Sequence, residues 1–104
     1  MMVVNDEYVG DLVSIVEEIF EFNEYEVSVE EGCEMYDRLD SIQLMFSEAI
    51  DFLDGVNEDG NVLEHREVQL MYGDTFLIRT KKDLIELMFI ALDRVHDLRM
   101  LITC

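Results

Sequence analysis

The residues with the most chemical promise lie in "RLDSIQLM", residues 38 to 45, where Asp40 and Ser41 precede an apolar run in the most acidic part of the chain. A serine so placed is either an ordinary hydroxyl on a helix surface or a point of covalent attachment. Other chemistries find little support. The five glycines, at 10, 32, 55, 60 and 73, fit neither a dinucleotide nor a P-loop spacing. His65 and His96 are far apart and have no cysteine at zinc-finger spacing. "NEDGNV" places Asn57, Asp59, Gly60 and Val62 like the middle of an EF-hand, yet the first ligand position is then Gly55 and the twelfth Arg66. A bidentate Glu is needed there, so a plain turn is the better reading. Carboxylates are too numerous for any acid–base pair to stand out. The chain is not expected to be an enzyme or to hold a metal.

The elements that must position Ser41 follow from composition and periodicity. The 104 residues suffice for one domain, 1–104, with a modest core, since half are apolar. There is no internal repeat, low-complexity tract or linker, and no proline. No apolar run is long enough to span a bilayer. The start, "MMVVNDEYVG", lacks the basic and apolar parts of a signal peptide. Two cysteines, Cys33 and Cys104, make no disulfide framework, so a cytoplasmic, reduced protein is expected.

Charge is the dominant signal. Of the net −18, residues 1–59 contribute −17, from 18 acidic residues against one base, Arg38. Residues 60–104 hold seven acids and six bases. Such a field repels nucleic acid and anionic membranes and steers basic protein surfaces inward. A partner with a basic docking surface is therefore expected, or else the charge serves solubility alone.

Three helices are predicted, near 6–22, 29–54 and 81–100. Val9, Leu12, Val16, Ile19 and Phe20 recur at helical spacing, behind Asn5 as a cap. Ser28 and Glu31 read as a capping box for the second helix. Its apolar stripe runs Met35, Leu39, Ile42, Phe46, Ala49 and Leu53 in steps of four and three. Thr80 and Asp83 frame the third, with Leu84, Met88, Ala91, Val95 and Leu98 on one face. Residues 66–79 fit either a β-hairpin or short helices. The sequence leaves open whether Met71, Tyr72 and Phe76 cover a core or form a dimer face, and hence the oligomeric state.

From Tyr8 to Ile42 the chain resembles the front half of an acyl carrier protein. "LVSIVEEIFEF" is similar to that family's first helix, with Leu12, Ile15, Val16, Phe20 and Phe22 at its apolar positions. Glu26, Val27 and Ser28 resemble its entry to the following loop, thirteen residues before Ser41, and "IRTKKDLIEL" (78–87) resembles the start of its last helix. The resemblance implies a four-helix bundle that carries acyl or similar thioester intermediates on 4'-phosphopantetheine at Ser41. Asp40 and Ile42 would assist recognition, and Glu48, Asp51 and Asp54 would dock partner enzymes. A serine at a helix start suits this task, because free backbone N–H groups and the positive dipole end favour a phosphodiester, and Asp40 would cap that helix. The chain departs from the family where Asp37-Arg38 replaces Leu-Gly, where Phe46 replaces a usual acid, and in a longer stretch between Ser41 and Thr80.

A second reading takes the acids themselves as the working surface. Glu7, Asp11, Glu18 and Glu21 share one face of the first helix, and Glu30, Glu34, Asp37, Glu48 and Asp51 one face of the second. Two such rows would imitate duplex phosphates and block a DNA-binding protein or nuclease, as an inhibitor or immunity protein. On this reading Ser41 lies on the solvated face of an unbroken helix beside Glu34, Arg38 and Glu48.

Overall fold

The computed structural model describes residues 6–55, 62–70 and 73–102, with backbone alone for 6 and 62–65. The elements in chain order are α1 (Asp6–Glu21), α2 (Val29–Gly55), β1 (Val62–Gln69), β2 (Thr75–Thr80) and α3 (Lys81–Leu101). The protein is mainly helical, with a two-stranded antiparallel sheet. The α+β alternative therefore fits, whereas a four-helix carrier-like bundle does not describe these elements. Residues 66–70 and 73–79 fall within the hairpin, where Val68 and Ile78 face inward and are fully buried.

Cross-element pairs give the helix directions. Tyr8 of α1 meets Phe52 of α2, and Glu18 meets Arg38, so α1 and α2 run antiparallel. Asp40 of α2 pairs with Arg99 of α3, and Gly32 lies beside Ile102, so α2 and α3 are also antiparallel. Consequently α1 and α3 are parallel. A Cβ at Gly32 would stand 3.5 Å from the Ile102 side chain, an ordinary van der Waals contact.

The α2 stripe is buried at every predicted position, from Met35 to Leu53, as is the α3 stripe from Leu84 to Leu98. Val9, Leu12, Val13, Val16 and Ile19 of α1 complete the core from the helical side. Phe46 is fully buried at its centre, and burying a side chain of that size is worth roughly 1.5–3 kcal/mol. In the hairpin, Arg66 pairs with Ile78, Val68 with Phe76 and Gln69 with Thr75, and a register irregularity separates Val62 from Arg66. Phe76 is half-buried against the core, while Met71 and Tyr72 lie outside the described residues. Gly73 has φ +77°, a left-handed turn conformation open to glycine without strain.

Helix ends follow the sequence signals. The Ser28 hydroxyl accepts the Glu31 N–H at 3.1 Å, and Thr80 and Asp83 form a reciprocal capping box. Asn5, the expected cap of α1, lies outside the described residues. At the other end of α1 no basic residue occupies the last turn. Arg94, reaching over from α3, takes that place. Its Nε donates to the Ile19 carbonyl at 3.0 Å and its Nη2 to the Phe22 carbonyl at 2.7 Å. The same Nη2 meets Glu24 at 3.3 Å, and both side chains are buried.

Candidate functional site

The structure disperses the residues of the attachment reading. Ser41 is exposed, but it lies twelve residues into an unbroken α2, so no break in the helix precedes it. The backbone N–H groups around it are spent on helix hydrogen bonds, and no helix terminus is there to favour a phosphodiester. The continuous stripe explains this: Leu39, Ile42 and Phe46 hold both sides of Ser41 against one core. Asp40 caps nothing. Its carboxylate pairs with the Arg99 guanidinium of α3. Ile42 is buried at 3% exposure, which leaves it nothing to present to a partner. Glu48, Asp51 and Asp54 are exposed on α2, as a docking role requires.

The acids, by contrast, are mostly exposed. Glu7, Asp11 and Glu21 of α1 and Glu30, Glu34, Asp37, Glu48 and Asp51 of α2 are all exposed, and Asp11 and Glu48 line one cleft. Where the end of α1 passes into the following loop, beside Met35 of α2, opens a cleft of about 690 Å³, lined among others by Glu17, Glu18, Glu21 and Glu26. Glu18 receives a two-pronged bond from Arg38, one arm at 3.1 Å. This hydrogen bond is the main reason the Glu18 carboxyl is held below the usual glutamate value, burial opposing it slightly. Arg38, the one base of the acidic half, is thus engaged within the fold.

Two other cations are turned inward. Arg94 is 4% exposed, and the half-buried Arg66 lies on the inner face of β1 with its guanidinium against Gly10. A Cβ built at Gly10 would stand 3.6 Å from it. Nothing in the sequence singled out Arg94. The available signal was a base set among Leu87, Ala91, Val95 and Leu98 on the apolar face of α3.

Acid placement also runs against helix stability. The last turns of α1 and α2 hold no basic residue, while Glu17, Glu18 and Glu21 crowd the end of α1 and Asp51 and Asp54 that of α2. Anions at a helix C-terminus oppose the macrodipole. Locally unfavourable residues kept in an otherwise consistent fold mark surfaces held for another purpose.

Among the described residues, no group of His, Cys, Asp and Glu is arranged to hold a metal ion. No helix among them is long and apolar enough to cross a membrane. The calcium-loop segment around residues 57–60 lies outside the described residues, and His96 is an exposed residue of α3. Cys33 is disulfide-bonded. No protein-family model matches the chain, and neither the curated proteins nor the solved structures contain a match.

Proposed function

We propose that this protein binds, through the carboxylates of α1 and α2, the cationic surface of a DNA-binding protein or nuclease and so keeps nucleic acid from it. The observation that supports this reading is the division of charge. The acids of α1 and α2 are largely exposed, while Arg94 is buried and Arg38, itself exposed, is held in an ion pair with Glu18. From Glu30 to Asp51 the carboxylates of α2 cover about 32 Å of helix axis at 1.5 Å per residue. That is close to the length of nine base pairs at about 3.4 Å each. The protein does no chemistry of its own in this role.

The test is competition. A labelled DNA duplex is bound to a basic nucleoid-type protein, and its fluorescence anisotropy is followed as the acidic protein is added. Displacement is expected, and it should weaken stepwise as Asp11, Glu34, Asp37, Glu48 and Asp51 are changed to their amides. Equal competition by the fully neutralised variant would sink the proposal.

Tethering of an acyl group at Ser41 has a separate readout, the intact mass after incubation with coenzyme A and a broad phosphopantetheinyl transferase. On the helix-centre geometry of Ser41, no mass is expected to be added. One added phosphopantetheine, absent from Ser41→Ala, would restore the carrier reading and displace ours.

A further inference from the structure

We infer that the cleft between α1 and the C-terminal half of α2 seats an apolar anchor from a cationic amphipathic helix of the partner. This narrows the acidic-surface reading and rests on it. The outward face of α2 runs Glu30, Glu34, Asp37, Ser41, Leu44, Glu48 and Asp51 at helical steps. Its row of carboxylates is interrupted at the middle by Leu44, 59% exposed, with Met45 beside it at 36%.

Next to this interruption lies a cleft of about 300 Å³. Tyr8, Leu12, Met45, Ala49 and Phe52 make its lining mostly apolar. The Tyr8 and Phe52 rings meet edge to face, 5.6 Å between centroids and 70° between planes, and brace one end. Asp11 from α1 and Glu48 from α2 complete the lining.

A surface that only imitates phosphates needs no apolar floor, and a purely hydrocarbon ligand gains nothing from carboxylates at the rim. Both features together match a helix with one aliphatic or aromatic side chain flanked, three or four residues away, by Lys or Arg. The anchor would fill the cleft, and the flanking cations would meet Asp11, Glu48 and the acids beyond. An apolar centre inside a charged ring is also the usual anatomy of a binding hot spot. A second copy offering the same face is disfavoured, because two acidic rims would then oppose each other.

The probe is a fluorescein-labelled eighteen-residue peptide with Lys on one helical face and Leu on the other. Its control is a peptide of equal charge with Ser in place of Leu. At about 150 mM salt the amphipathic peptide should bind at least tenfold more tightly than the control. In Leu44→Ser/Met45→Ser, two exposed positions whose change leaves the core intact, that advantage should vanish while control affinity persists. Circular dichroism confirms that the variant is folded. Equal affinity of the two peptides, or an advantage surviving in the variant, would overturn the cleft and leave the acidic-surface reading standing. Absence of binding by either peptide would overturn both. A peptide-free dimer that dissociates in the Leu44→Ser/Met45→Ser variant would assign the cleft to a second copy and overturn the inference.

Discussion

Replacing Arg94 by Met keeps an unbranched apolar stem in the core and removes the guanidinium. Two main-chain acceptors at the end of α1, the Ile19 and Phe22 carbonyls, lose their donors, and the Glu24 carboxylate stays behind, buried and uncompensated. Breaking a buried ion pair on one side costs about 3–5 kcal/mol, most of it the unpaired charge. Total stability for a domain of this size is about 5–15 kcal/mol, so the loss should be conspicuous. The assay is urea unfolding followed by far-UV circular dichroism, with the urea dependence m checked against wild type. Glu24→Gln supplies the second arm. The double variant should be less destabilised than the sum of the singles, by about 1 kcal/mol or more, because the orphaned charge is gone. Arg94→Lys should recover only part of the loss, since a compact ammonium cannot serve two carbonyls and a carboxylate with a planar fork. A cost below about 1 kcal/mol for Arg94→Met would refute the view that this side chain terminates α1.

Three further outcomes are expected. Asp51→Asn/Asp54→Asn should raise the unfolding midpoint slightly, by a few tenths of a kcal/mol for each relieved anion at the α2 terminus, while weakening displacement of DNA; a lower midpoint would remove the dipole argument. Because the folded Glu18 carboxyl titrates below its unfolded value, its pair with Arg38 stabilises the fold above the unfolded value and loses that contribution as pH falls through the folded one. The pair is exposed, so the contribution is under about 1 kcal/mol; Arg38→Gln should return the Glu18 titration, read by NMR, toward the ordinary glutamate range, and an unmoved titration would contradict the assignment. Reduction of the Cys33 disulfide should lower stability by about 2–4 kcal/mol, and identical melting with and without reductant would show that the bond does not constrain the fold.

The sequence made the helices legible because their apolar residues recur with the helical period, and each α2 and α3 stripe residue named from that period is buried. Ser28 and Thr80 announced two helix starts through their own side-chain chemistry. The hairpin was ambiguous because its alternation is short. It is fixed by the burial of Val68 and Ile78, a tertiary fact. Ser41 shows two local signals in conflict. Asp40-Ser41 has the residue types of a helix start, but Leu39, Ile42 and Phe46 demand a continuous one, and burial of three large side chains outweighs a cap worth about 1 kcal/mol. The acidic face was visible from composition. The cleft was not, because Tyr8 and Phe52 meet only once α1 and α2 lie antiparallel.

The parallel packing of α1 against α3 bears on how the chain matures during synthesis. The end of α1 receives its hydrogen bonds from Arg94, 75 and 72 residues further along the chain. Until α3 emerges, α1 is a sixteen-residue segment with several like charges and an open end, near the length at which isolated helices are marginal in water. During synthesis the end of α1 is thus completed only once α3 has been made.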